Sequence, residues 1–365
     1  MKILYVTTVS VTMGFFEQHF RMLLDDGHTV ELACNCGEPL PQFCTDMGLK
    51  GYSIPFSRSP LAKSNLSAIR ELKRVIEDGH YDIVHTHTPT ASVCVRIVCR
   101  KLRKQGLKVF YTAHGFHFYK GAPVKNWLLF YPVEWLCAHW TDVLITINKE
   151  DYERARKRLR AKRIEYVPGV GIDLNEFNRH GCTGVRKREE LGIPEDAVWV
   201  LSVGELIPRK NHETLIQAVA RTKGICLTIA GQGPLRDYLI SQIDRLGIAD
   251  RVKLLGFRED ISELCASADV FALPSFQEGL SVALMEAMAC GLPCVVSAIR
   301  GNIDLIDEKG GVLFEPHSVE QAAEALTEIV SCDRTSMAGC NVEKIKKFDI
   351  EHVVGMMREL YSEFG

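Results

Sequence analysis

The sequence predicts an α/β protein made of two doubly wound parallel sheets. Apolar runs of strand length alternate with helical patterns along nearly the whole chain. That scheme occurs twice, once in each half. The chain also has 365 residues, too many for one ordinary core and suited to two domains.

In the first half, Ile3–Thr7, Thr29–Ala33, Ile83–His85, Val109–Thr112 and Val143–Ile147 read as buried strands. Helical periodicity falls at Phe15–Asp25, Asn65–Glu77, Ala91–Arg103, Asn126–Ala138 and Lys149–Arg160. In the second half the strands are Val198–Val203, Cys226–Ala230, Val252–Leu255, Val270–Leu273 and Pro293–Val296. Its helices are Asn211–Arg221, Pro234–Leu246, Ile261–Ala266, Ser281–Ala289 and Val319–Ser331. A linker is expected between Val167 and Pro194, where Pro168-Gly169-Val170-Gly171 and Gly181 break regular structure. The expected domains are therefore 1–170 and 171–349, and the last helix, Glu351–Tyr361, carries Val353, Val354, Met357 and Leu360 at helical spacing.

Composition narrows the class. Hydrophobic residues make up 46% and charged ones 25%, as in a soluble globular protein. The net charge of −2 gives no overall attraction to nucleic acid, so no nucleic-acid partner is expected. There is no apolar run of about 18 residues. Met1-Lys2 leads straight into a strand with no signal-peptide pattern, and thirteen cysteines then point to a reducing cytoplasm. Neither Cys34 with Cys36 nor Cys290 with Cys294 has zinc-site spacing.

The chemistry concentrates in Pro274–Ser297, PSFQEGLSVALMEAMACGLPCVVS. Glu278 sits in a glycine-containing turn after a strand, and Glu286 sits seven intervening residues later in an apolar helix. Ser281 is the expected N-cap, Gly291 the C′ residue, and Pro293 ends the helix. The turn therefore falls at the carboxyl end of a parallel sheet, where ligands bind in open α/β folds. Hydrophobic folding requires neither carboxylate, whereas hydroxyls of a sugar or ribose would satisfy both. The plain alternative is a surface Glu278 and a solvent-facing Glu286.

This run resembles the signature of the family-four glycosyltransferases of the GT-B fold, P-S-x-x-E-G-x-x-x-x-x-x-E-A-M-A-x-G-x-P-V-V. The resemblance implies two Rossmann-like domains facing a central cleft, with an acceptor-binding first domain onto which residues 350–365 pack back. The second domain would bind a nucleotide-sugar donor. Glu278, with Gly279, Leu280 and Ser281, would meet the donor sugar, and Glu286 the ribose diol. Gly204-Glu205-Leu206-Ile207-Pro208-Arg209-Lys210-Asn211 resembles the family's G-R-L-x-x-x-K-N/G motif. Glu205 stands where arginine is commoner. Arg209 and Lys210, before a helix, would hold the donor diphosphate. Gly231 and Gly233 match a G-x-G-P turn near the nucleotide, and Gly256-Phe257 resembles the segment that meets the base. His114, in a T-x-H pattern, is the candidate reaching the donor sugar, with His117 second. Thr8–Gly14 would form the loop under the phosphates, although only Gly14 stands where the family has two glycines.

The implied reaction moves a hexose or N-acetylhexosamine from a UDP-sugar to an acceptor hydroxyl, with retention. The acceptor would be a lipid-linked glycan of capsule or exopolysaccharide assembly. No Asp-x-Asp occurs, so neither a metal nor any cofactor beyond the donor is indicated, and Arg209, Lys210 and helix-end N–H groups would neutralise the leaving group. A nucleotide-sugar 2-epimerase of similar shape is disfavoured by the 274–296 pattern, and a binding-only protein by the intact Arg209, Lys210, Glu278 and Glu286 set. No G-x-G-x-x-G follows the first strand, which disfavours a dehydrogenase. Two basic stretches, Arg96–Lys108 and Arg154–Arg163, flank an aromatic segment from Trp127 to Trp140. They read either as solvated helix faces and core, or as a peripheral contact with anionic membrane or lipid-linked acceptor on the inner face of the cell membrane.

Overall fold

The structure, a computed structural model, describes residues 1–59, 62–178 and 184–364. The chain divides into two compact units. Unit 1 is Met1–Gly171 together with the chain from Ile350 onward, and unit 2 is Ile172–Asp349.

Unit 1 is a seven-stranded sheet in the order β3-β2-β1-β4-β5-β6-β7, every pair parallel. Its strands are β1 (Lys2–Val9), β2 (Thr29–Asn35), β3 (Lys50–Ser53), β4 (Ile83–Thr86), β5 (Lys108–Ala113), β6 (Val143–Thr146) and β7 (Arg163–Tyr166). The helices are α1 (Glu17–Asp25), α2 (Gln42–Asp46), α3 (Ser64–Gly79), α4 (Pro89–Leu102), α5 (Val124–Ala138) and α6 (Lys149–Arg158). Alternation along β1 shows how the sheet is filled. Ile3 and Tyr5 join one core with Phe20, Phe110, Val353 and Met357, while Leu4 and Val6 join another with Leu72, Val84 and Val95. A strand buried on both faces is apolar along its central run, and Ile3–Val6 of β1 is. The C-terminal helix Ile350–Ser362 buries Val353, Met357, Leu360 and Tyr361, one stripe at helical spacing. The Tyr361 hydroxyl lies 2.7 Å from that of Tyr5. Arg358 Nε donates to Asp26 at 2.7 Å, tying this helix to the end of α1.

Unit 2 repeats the plan with six parallel strands in the order β10-β9-β8-β11-β12-β13. They are β8 (Val198–Val203), β9 (Ile225–Ala230), β10 (Val252–Gly256), β11 (Val270–Leu273), β12 (Cys294–Ser297) and β13 (Gly311–Phe314). Its helices are α7 (Gly184–Leu191), α8 (His212–Arg221), α9 (Arg236–Leu246), α10 (Ile261–Ser267), α11 (Val282–Ala289), α12 (Asn302–Leu305), α13 (Val319–Ser331) and α14 (Arg334–Ile345). In both units the strand order reverses beside the first strand, between β1 and β4 and between β8 and β11. That reversal opens a crevice at the carboxyl ends of the strands.

Three expectations need correcting. The supposed phosphate loop Thr8–Gly14 is the end of β1 and most of a 3₁₀ helix, Ser10–Phe16. Gly14 is exposed there with only Pro41 near the position of a Cβ, so nothing in the backbone requires glycine. The expected linker contains α7, while Gly181 lies outside the described residues. The basic stretches are also not uniformly free. Arg96 and Arg103 are bound by Glu134 and Asp142, and Arg154 by Glu150 and Asp151. Among the described residues no helix is long and apolar enough to cross a membrane.

Candidate active site

In unit 2 the loops after β8 and β11 flank the strand-order reversal, and each delivers charge to it. The loop after β8 closes as a short 3₁₀ turn, Pro208–Lys210, followed by Asn211 in the left-handed region at φ 54°. Asparagine tolerates that conformation better than most residues. Its buried amide donates to the carbonyls of Pro274 at 3.0 Å and Pro316 at 2.9 Å. Phe276 N–H donates to the Arg209 carbonyl at 2.9 Å. These bonds join the basic turn to the loop carrying Glu278.

Glu278 is buried, 7% exposed, and its carboxylate spans both cations. Lys210 Nζ donates to Oε1 at 2.9 Å, and Arg209 Nη1 donates to Oε2 at 3.2 Å. Burial alone would raise the proton affinity of Glu278, but Lys210 and then Arg209 outweigh it and hold the carboxyl below its ordinary range. The group is one anion between two cations, with a net positive charge at the crevice. Arg300 is buried behind this loop and donates from Nε to the Glu278 carbonyl at 3.3 Å.

Glu286 has the opposite electrostatics. It lies on α11, capped by Ser281, whose Oγ accepts from Leu284 N–H at 3.3 Å. Burial, reinforced by the charge of Glu176, pushes its carboxyl up to about 7. Two glutamates eight positions apart therefore have their proton affinities pushed in opposite directions by their surroundings.

The glycines act through backbone packing. A Cβ on Gly231 would lie 1.9 Å from the Gly204 carbonyl oxygen, and one on Gly233 2.6 Å from that of Leu206. Gly204 N–H donates to Ala230 at 2.9 Å, Leu206 N–H to Gln232 at 3.0 Å, and Gly231 N–H to Gly256 at 2.7 Å. The loops after β8, β9 and β10 are thus joined backbone to backbone. A Cβ on Gly204 would stand 3.2 Å from the Lys210 stem, so this glycine leaves room for that side chain to cross. Phe257, next to Gly256, is 68% exposed. Leu280 is buried beside Ser281, and Gly279 packs its carbonyl oxygen 2.3 Å from where a Cβ on Gly301 would be.

In unit 1 the reversal between β1 and β4 gathers histidines. His114, after β5, lies with Nε2 3.3 Å from His87 Nδ1. His85 contacts Thr112 Oγ1 at 2.8 Å through Nε2 and the Tyr361 hydroxyl through Nδ1. His19 of α1 lines the same cavity of about 10 Å³, the space of one water molecule. Burial drives His19 and His114 down to about 4, and His85 and His87 well below 6.5. His117 stacks on Phe130 of α5, ring centroids 4.5 Å apart.

Acid should therefore weaken unit 1. A histidine held neutral in the folded chain takes up a proton first in the unfolded chain. Its contribution is complete above about pH 6.5 and is lost as pH falls toward about 4. Thermal melting should show a lower midpoint at about pH 5 than at about pH 7.5. Equal midpoints would refute the arrangement.

Comparison with known proteins decides the family. Residues 185–342 match the glycosyl transferases group 1 family, and residues 17–176 match Glycosyltransferase Family 4. The Bacillus subtilis protein EpsD, named as a glycosyltransferase, is 39% identical over 323 residues, which is 86% of this chain and 83% of EpsD. The chain belongs to the group 1 glycosyltransferases. An Escherichia coli protein, UDP-Gal:alpha-D-GlcNAc-diphosphoundecaprenol alpha-1,3-galactosyltransferase, is 28% identical over 95% of this chain and 92% of its own. Among solved structures, Anabaena HepE with UDP and glucose superposes with a TM-score of 0.82 at 20% identity, covering all of both chains. Sucrose-phosphate synthase from Thermosynechococcus elongatus gives 0.83 at 20% identity over 100% and 99%. These two likenesses show the GT-B fold.

Within this group 1 glycosyltransferase, sequence reasoning missed three sets of residues. Helical periodicity begins at Asn211, and nothing in the sequence marks its amide as the clamp between two loops. Arg300 follows a strand end at Ser297, and strand ends are where such residues gather. His85 and His87 form an H-x-H pattern at the end of β4, followed by Thr88, whose Oγ1 accepts from Thr8 N–H at 2.7 Å.

Proposed function

We propose that the chain transfers a hexose or N-acetylhexosamine from a UDP-sugar to a hydroxyl of a lipid-linked glycan, with retention and without a bridging metal. The observation that carries this reading is the buried Glu278 carboxylate held between Lys210 and Arg209 at the reversal of the unit 2 sheet. Two cations positioned by a carboxylate, beside loops of closely packed glycine backbone, suit a diphosphate leaving group. Glu278 also keeps Lys210 in place before the donor arrives. Glu286 accepts the two ribose hydroxyls, and Phe257 offers a face to the base. His114, neutral at physiological pH, is the hydrogen-bonding group that unit 1 offers to a sugar hydroxyl. The donor's own phosphate oxygen takes the acceptor proton. The name of the Escherichia coli relative, a galactosyltransferase with UDP-Gal as donor and a GlcNAc-diphosphoundecaprenol as acceptor, supports a UDP donor and a lipid-diphosphate acceptor. The unit holding Glu278 is then the donor domain, and the histidine-bearing unit the acceptor domain.

The test is nucleotide release from a panel of UDP- and GDP-sugars, with and without lipid-linked acceptors. UDP release that depends on acceptor is expected. Release from no donor would refute transfer, and a free epimeric sugar nucleotide would mark an epimerase instead.

Glu286 carries its own prediction. Glu286→Ala should weaken UDP binding by about tenfold or more, the worth of hydrogen bonds to a charged group. Because its carboxyl titrates at about 7, native UDP affinity should rise from pH 6 to pH 8, and the variant should lose that slope. Calorimetric titration measures both, and an unchanged affinity would remove Glu286 from the ribose.

A further inference from the structure

Helix α5 has its polarity turned inside out. Its one carboxylate, Glu134, points inward, and Arg96 Nη1 and Nη2 donate to Glu134 Oε2 and Oε1 at 2.7 and 3.1 Å. The Arg96 guanidinium also lies 4.3 Å over the Tyr111 ring. The opposite side of the helix is apolar and open. Val124 is 73% exposed, Leu128 75%, Leu136 48% and Trp135 42%. Leu129 and Val133 lie on the same arc, at 46% and 40%. An exposed apolar surface running the length of a 15-residue helix is uncommon on a protein that meets only water.

The charge around this surface has one sign. Lys125 stands on the exposed arc itself. At the other end of α5, the last turn of α4 and the following turn present Arg100, Lys101 and Lys104, all exposed. Arg100 and Arg103 tie this turn to that end. The Arg100 guanidinium is 5.8 Å from the Trp140 ring, and Arg103 Nη1 donates to the His139 carbonyl at 2.9 Å. Among the described residues none of Arg100, Lys101, Lys104 or Lys125 forms an ion pair, and the exposed arc of α5 bears no carboxylate. At about 1.5 Å per residue the helix is about 22 Å long, too short to span a bilayer and suited to lying along its surface.

We propose that the outer face of α5 docks the protein on a bilayer carrying anionic headgroups. The leucines, Val124 and Trp135 enter the boundary between headgroups and acyl chains, and the four cations meet the lipid phosphates. A second copy of the chain is the poorer occupant, because pairing this face with itself would oppose like charges. The proposal stands on unit 1 alone and does not depend on which sugar is transferred.

Vesicle flotation of the full chain tests it, using phosphatidylcholine alone and with about one-third phosphatidylglycerol. Binding is expected only to the anionic vesicles and should fall as salt is raised. Leu128→Glu with Leu136→Glu should reduce the bound-to-free ratio by more than about tenfold. Lys101→Glu with Lys104→Glu should reduce it by about fivefold or more per cation. All four positions are exposed, so circular dichroism and UDP binding should match the native chain. Absence of native binding to anionic vesicles, or variants that float as well as the native chain, would overturn the proposal. So would a native dimer that the leucine variant converts to monomer without any effect on flotation.

Discussion

Lys210→Ala should lower kcat/KM by about 10²- to 10³-fold, the range found when one preorganised donor to developing charge is removed. The lysine's single bond to Glu278 at 2.9 Å leaves two of its three N–H donors for phosphate oxygens. Removing it also alters its neighbours. Glu278, 7% exposed, would keep Arg209 as its remaining cation, which is itself 41% exposed in its side chain and so the weaker partner. The loss should appear mainly in kcat, because the charge on the leaving diphosphate grows toward the transition state. UDP affinity should fall less than turnover does. Lys210→Arg restores the charge but not the geometry, since a planar guanidinium cannot replace a compact ammonium across Gly204, and it should recover only part of the rate. Steady-state kinetics with a saturating acceptor measures both variants. Near-native turnover in Lys210→Ala would remove this residue from the diphosphate site.

Glu134→Ala should cost unit 1 about 3–5 kcal/mol, because it leaves a buried guanidinium uncompensated. Arg96 is 1% exposed, with both terminal nitrogens on Glu134 and its flat face on Tyr111. Its Nε donates to the Ser92 carbonyl at 3.0 Å, which cannot replace a carboxylate. Replacing both partners, Arg96→Met with Glu134→Leu, removes the charge together with its counter-charge. That double variant should be near native or more stable. Urea unfolding followed by near-ultraviolet circular dichroism distinguishes the two cases. If the single and double variants lose the same stability, the pair is not what holds α5.

The sequence was most readable where burial is symmetrical. Strands such as Val198–Val203 and Val270–Leu273 are mainly apolar and buried on both faces, and their limits agree with β8 and β11 to the residue. Three edge strands, β3, β7 and β13, escape the hydrophobic pattern, whereas the edge strand β10 does not. Lys50–Ser53 and Arg163–Tyr166 are short and only partly buried, so polar side chains hide them from a hydrophobic pattern. Helix α7 was lost for a related reason, since Gly184–Leu191 is mostly charged. At the site, Glu278, Arg209 and Lys210 were legible as types and spacings, but their mutual contact was not, because 68 residues separate Lys210 from Glu278. A segment rich in tryptophan and leucine suggested core or membrane, and only the inward position of Glu134 decides which side faces out.

The joined glycine loops explain a departure that the sequence left open. Glu205 occupies a place where arginine is commoner, yet its side chain is exposed, and so is that of Gln232. What holds these loops together is carried by N–H and carbonyl groups of Gly204, Leu206, Gly231, Gln232 and Gly256. An inserted or deleted residue would put every one of those bonds out of step at once. Side chains at the two exposed positions can change without disturbing any of them. The loops are therefore constrained in length and free in spelling, and Glu205 is one of the letters they leave free.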